Sequence, residues 1–165
     1  MIVYHKKITI DTEARPTFHD VTGRAKEIIS ESGTKNGLLT VYSQHTTCSV
    51  ITQEDSHDTT GDGTKFLLQD LVDGLEKLFP KSIRAGQYRH PGPELIKYCE
   101  EELDESLEEA LNTDAHLRSC IIGRSVSIPI VDGKLELGQF GQIYFIDFDS
   151  TRPRKRIVQF QVMGA

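Results

Sequence analysis

The 165-residue chain carries 19 Lys+Arg against 25 Asp+Glu, a formal net charge of −6, and is 37% hydrophobic. That length suits one domain with its own core, and the acidic balance argues against a nucleic-acid partner, which would ask for a basic stripe facing phosphate. A mean hydropathy of −0.37 and the lack of a long apolar run argue against a membrane partner; Tyr4, His5, Lys6 and Lys7 interrupt the start before a signal-peptide core can form, so a cytoplasmic location is expected.

Val3 to Ile10 has the β-branched and aromatic content of a strand, and Lys6-Lys7 suits a sheet edge. Asp20 is placed to cap a helix running to Ser32, with Val21, Ala25, Ile28 and Ile29 on one face and Gly33 ending it in a left-handed conformation. Leu38 to Tyr42 and Cys48 to Thr52 read as a pair of strands joined through His45 to Thr47. Phe66, Leu67, Leu71, Leu75 and Leu78 recur at helical spacing up to Pro80, and Lys81 to Pro93, rich in Pro and Gly, reads as a loop. Leu95, Cys99, Leu103, Leu107 and Leu111 predict one acidic helix from Glu94 to Asn112.

From Cys120 onward the pattern changes to strands: Ile121-Ile122, Val126 to Val131, Lys134 to Leu137, Gln142 to Phe148 and Ile157 to Val162, read as a meander. Asp132-Gly133 predicts a type I′ hairpin, and Gly138 with Gly141 a bulge or close backbone approach. The expected fold class is α+β, with antiparallel, sandwich-like sheet and helices on one side. Cys48, Cys99 and Cys120 are odd in number and lack C-x-x-C spacing, so reduced thiols acting as small buried hydrophobes are expected.

Candidate chemistry gathers at element boundaries. His45, His90 and His116 each stand beside hydroxyl or carboxylate neighbours, whereas His5 and His19 read as structural and His57-Asp58 as a weaker competitor. Three boundary imidazoles with a carboxylate suit a borderline divalent ion such as zinc. The basic run Arg152-Pro153-Arg154-Lys155-Arg156 reads either as a solvated turn guarding a strand edge or as a binder of a phosphorylated small molecule.

The segments His45-Thr46-Thr47-Cys48-Ser49 with Glu54, Tyr88-Arg89-His90, Asp114-Ala115-His116-Leu117, Gly123-Arg124-Ser125, Pro129, Asp132-Gly133-Lys134-Leu135, Leu137-Gly138 and Arg152-Pro153-Arg154 occur in an order that resembles the YjbQ family across nearly the whole chain. The resemblance implies a single domain over residues 1–165 with an α+β sandwich, a homotrimer with polar sites near subunit boundaries, a metal near the histidines, and the activity label secondary thiamine-phosphate synthase. Gln53, Gln139-Phe140-Gly141 and the acidic helix depart from the family pattern.

Together these readings point to a metal-dependent enzyme acting on a phosphorylated small molecule. His45, Glu54 and His116 would be the acid/base groups, Thr46, Thr47, Ser49 and Arg154 would hold the substrate, and His45, His90 and His116 would bind Zn or Mg. The rivals are a non-catalytic trimeric metal- or ligand-binding protein and a metal-assisted hydrolase that uses water as nucleophile.

Overall fold

Two-residue alternation shapes the first strand. In the computed structural model, which describes residues 1–103 and 105–165, Ile2–Asp11 forms β1 with Tyr4, Lys6, Ile8 and Ile10 on the half-buried side and Val3, His5, Lys7 and Thr9 exposed. After β2 (Thr17–Asp20) comes α1 (Thr22–Ser32), entered through the Asp20 carboxylate, which accepts the Thr22 amide at 2.8 Å, and left through Gly33 at φ 70°. The order continues as β3 (Gly37–Ser43), β4 (Cys48–Glu54), α2 (Phe66–Leu78), α3 (Pro93–Glu102), α4 (Leu107–Ala110), α5 (Thr113–Ile122), β5 (Ser125–Val131), β6 (Lys134–Leu135), β7 (Gly141–Asp147) and β8 (Lys155–Gly164).

The class is α+β, built on two antiparallel sheets. One has the order β1-β8-β3-β5-β6 and the other β2-β7-β4. Their facing sides enclose the main core, with Leu39, Val41, Val158 and Phe160 from the larger sheet against Val50, Ile143 and Phe145 from the smaller, and with Ala25, Ile28 and Ile29 of α1 filling the same space. Phe145 and Phe160 are both fully buried, and each stabilises the core by roughly 2–3 kcal/mol relative to exposure. Neighbouring residues on a strand face opposite ways, so Ile146 points to the other side of the smaller sheet, where Leu75 of α2 and Ala115 of α5 cover it. Covering on both sides explains why residues 143–147 are buried without a break. The outer face of the larger sheet stays open, with Val3, Leu38, Tyr42 and Met163 exposed.

Five expectations need correction. The strands around His45 are not partners: β3 pairs with β5 and β8, β4 pairs with β7, and residues 44–47 cross from one sheet to the other. The C-terminal third is not a meander. β5 and β6 form the expected hairpin, with Asp132 at φ 49° and Gly133 at φ 75°, but β7 then joins the smaller sheet and β8 returns to lie between β1 and β3.

The acidic helix is broken. Ser106 starts a new helix with a capping box, its hydroxyl accepting the Glu109 amide while the Glu109 carboxylate accepts the Ser106 amide, so α3 and α4 separate where the leucine spacing predicts continuity. α5 begins at Thr113, and Ile121-Ile122 close it rather than opening a strand. Finally, Cys48 and Cys99 are buried free thiols as expected, but Cys120 is exposed. Among the described residues no helix is long and apolar enough to cross a membrane.

Candidate functional site

The crossing between sheets is a tight polar turn. The His45 amide donates to Ser43 Oγ at 3.2 Å and its carbonyl accepts the Cys48 amide at 3.2 Å, so His45, Thr46 and Thr47 are held at one end of both sheets. The turn between β7 and β8 and the start of α5 face them. Between these segments lies a pocket of about 320 Å³, lined by His45, Thr46, Thr47, His116 and Arg154, and also by Gln44, Glu105, Asn112, Asp149 and Arg156.

A buried ionic network forms its floor. Arg156 donates to Asp147 through Nε at 2.7 Å and through Nη2 at 3.3 Å, and its Nη2 also reaches Asp149 at 3.4 Å and Thr47 Oγ1 at 3.0 Å. Thr12 Oγ1 adds a bond to Asp147 at 2.9 Å. Burial alone would push Asp149 up, but hydrogen bonds from the Thr151 amide and hydroxyl, with Arg154 and Arg156 nearby, outweigh it and hold the carboxyl below its ordinary range. Beside this network burial drives the Cys48 thiol far up, so it stays protonated and is no nucleophile.

His45 has a fixed task. Its Nε2 accepts the Ile157 amide at 2.9 Å, which places the ring proton on Nδ1 and requires a neutral imidazole. Burial and then Arg156 lower its pKa, so electrostatics and hydrogen bonding agree.

His116 sits in the second turn of α5, with His90 against it edge to face, ring centroids 5.3 Å apart and planes at 87°. Burial, followed by His90, lowers the His116 pKa and keeps it neutral near pH 7. Residues of α5 hold the loop that carries His90. Thr113 Oγ1 donates to the His90 carbonyl at 2.6 Å, Asp114 accepts the Ser82 amide at 3.1 Å, and Arg118, paired with Asp114 at 3.2 Å, donates to the Phe79 carbonyl at 2.8 Å.

His90 and His116 pack edge to face, with a centroid separation of the order that two imidazoles on one zinc ion would show at Zn–N of about 2 Å. His45 does not supply a third, because its Nε2 lone pair already holds the Ile157 amide. Among the described residues no group of three or more His, Cys, Asp or Glu side chains is arranged to hold an ion. The three-imidazole centre expected from the sequence is not assembled here.

Two further site residues lie elsewhere. Glu54 is exposed at the far end of β4, opposite Gly141, and six residues of strand put it about 20 Å from Cys48. Ser49 is fully buried on the side of β4 turned away from the main core, behind the pocket, with its hydroxyl unpartnered. Sequence reading missed Asp147, Asp149, Asn112 and Glu105, and held Arg156 only as one member of the basic run. A signal existed for two of them: Arg156 shares its strand parity with the core residues Val158, Phe160 and Val162, and Asp147 with Ile143 and Phe145, so each charge had to be buried and therefore paired.

The family model for UPF0047 protein YjbQ-like matches residues 6–165. A UPF0047 protein of Archaeoglobus fulgidus is 31% identical over 153 residues, covering 93% of this chain and 98% of that protein. The crystal structure of an uncharacterized conserved YjbQ/UPF0047 family protein from Clostridium acetobutylicum superposes with a TM-score of 0.71 at 28% identity, covering 96% of this chain and 99% of that one. A hypothetical protein from Aeropyrum pernix K1 superposes with a TM-score of 0.73 at 32% identity, covering 98% of each chain. The chain belongs to the YjbQ-like UPF0047 family.

Proposed function

We propose, with membership of that family as the premise, that the pocket at the sheet crossing takes a small phosphorylated substrate and catalyses group transfer on it. The specific candidate is the thiamine-phosphate synthase-like reaction that the family resemblance implies. The observation carrying this reading is the convergence of His116, Thr46, Thr47 and Arg154 on one pocket. In that reaction the carbon–oxygen bond to pyrophosphate breaks as a thiazole nitrogen forms the new carbon–nitrogen bond, so the chemical burden is the departing anion. Arg154 and the hydroxyls of Thr46 and Thr47 would bind its oxygens, while neutral His116, its single N–H directed at the Thr46 carbonyl, would present its other nitrogen as an acceptor or base. The cation such a reaction needs would arrive with the pyrophosphate, since Mg²⁺ is held through substrate phosphates and one or two carboxylates. Asp149 lines the pocket and offers a carboxylate.

A non-catalytic binding protein is the second reading, favoured by one observation: Arg154 and Arg156 are already paired with Asp147, Asp149 and Glu105 inside the chain. The assay that separates them supplies hydroxymethylpyrimidine pyrophosphate, thiazole phosphate and Mg²⁺ and follows thiamine phosphate. Synthase activity is expected to fall at least about tenfold in His116→Ala and in Thr47→Val. Turnover indifferent to both variants removes the pocket assignment, and pyrophosphate binding without turnover puts the binding protein ahead. A homotrimer is proposed as the assembled form, with the open face of the larger sheet and the β1 edge as the surfaces a neighbour would cover.

A further inference from the structure

We propose that Arg152 and Arg154 form an anion site at the mouth of the pocket, that the chain's own Glu105 carboxylate fills it in the free protein, and that a phosphate dianion of the ligand displaces Glu105 to bind. The inference rests on the reading of this pocket as a site for a phosphorylated small molecule. One oxygen, Glu105 Oε1, lies between the two guanidinium groups: it contacts Arg152 Nη2 directly and Arg154 Nη1 at 3.5 Å. Arg152 is further held by Glu109 at 2.6 Å, and Arg154 by the buried Asp149 at 3.0 Å. Both arginines are thus fixed in place by other carboxylates, with Glu105 as the partner they share.

The fit of Glu105 is incomplete. Its one oxygen is shared between two guanidinium groups, whereas a phosphate carries three oxygens and can give each arginine its own acceptor. Side-chain exposures of 33% for Arg152 and 23% for Glu105 leave the contact open to solvent, so exchange needs no opening of the core. Glu105 also belongs to neither α3 nor α4, and its carboxylate can turn away without loss of a helical hydrogen bond. Charge sets the ligand class: a monoanion offers the arginines no more than Glu105 does, whereas a dianionic phosphate or a pyrophosphate offers more. The acidic segment then acts as an internal competitor that keeps singly charged carboxylates out of the pocket.

The test titrates inorganic pyrophosphate into the protein by calorimetry, with acetate as the monoanion control. It compares wild type with Glu105→Gln, Arg152→Gln and Glu108→Gln, the last being an exposed neighbour with the same charge change. Removal of the competing carboxylate is expected to tighten pyrophosphate by about fivefold, Arg152→Gln to weaken it by about tenfold, and Glu108→Gln to leave it within about twofold. Acetate should not bind measurably to wild type. Equal tightening in Glu105→Gln and Glu108→Gln would overturn the proposal in favour of a general charge effect. Pyrophosphate binding that is unchanged in Glu105→Gln also overturns it but leaves the pocket reading standing. Absence of pyrophosphate binding in both wild type and Glu105→Gln removes the pocket reading and this inference together.

Discussion

Arg156 on β8 and Asp147 on β7 meet with 2.7 Å between Nε and Oδ2, and because their strands belong to different sheets the pair clasps the two sheets together beside the pocket. Asp147 is 0% and Arg156 8% exposed. Removal of one partner from so buried a pair strands the other charge, at a cost of about 3–5 kcal/mol. Asp147→Ala is therefore expected to lose about that much in urea unfolding, while Asp147→Leu combined with Arg156→Met regains most of it. A loss below about 1 kcal/mol for the single variant would show that water reaches and solvates the abandoned guanidinium.

Stability should fall with pH through the histidine range. Burial is the leading cause of the lowered pKa of His19, His45 and His116, so the unfolded chain, with imidazoles near 6.5, takes up protons first. Their contribution is complete above about pH 6.5 and is lost as the pH drops through the lower folded values. Asp149 acts in the same direction but further down: its folded carboxyl titrates below the unfolded one, so its contribution holds above about pH 4 and is lost as the pH falls beneath that. NMR titration is expected to give His45 a midpoint below 6.5, with the Ile157 amide resonance moving in step as the ring ceases to accept its proton. A midpoint above 6.5 would contradict the neutral-ring assignment.

Thr113 offers a cleaner way to disturb the pocket without touching it. Thr113→Val removes the 2.6 Å bond to the His90 carbonyl, at a cost of about 1 kcal/mol. Hydrogen exchange should rise in residues 82–92 while β7 and β8 stay protected. Uniform loss of protection would mean that the bond supports the whole fold and not the loop that carries His90.

Light scattering at low concentration is expected to return about three times the 18.6 kDa chain mass. A monomer there would leave the open sheet face without its proposed neighbour.

The sequence was most readable where local rules act alone. The hairpin at Asp132-Gly133, the stop at Gly33, the alternation of β1 and the span of α2 are where the residues say, but the buried face of α2 is Leu68, Val72 and Leu75, with Phe66 and Leu78 exposed. Sheet membership was not readable, because nothing local distinguishes β4 pairing with β3 from β4 pairing with β7. The break after α3 was readable in principle, since Ser106 and Glu109 spell a capping box, but the leucine spacing outvoted it. Within the site, His45, Thr46, Thr47, His116 and Arg154 were found by residue type at element boundaries. Glu54 was misplaced because seven residues close in sequence become a full strand length in space. Arg156 was lost because it stands in a basic run whose other members are more exposed.

The place of β8 bears on how the protein is made. Lys155–Gly164 is synthesised after every other element described, yet it is inserted between β1 and β3. On the ribosome, a chain stopped before Lys155 lacks the strand that joins β1 to the rest of the larger sheet, so β1 has no partner and β3 shows one bare edge. It also lacks Arg156, leaving Asp147 with no counter-charge. Such nascent chains expose the unpaired strands that other chains can capture, so assembly of the larger sheet, the clasp and the pocket must all wait for the same ten residues to clear the exit tunnel.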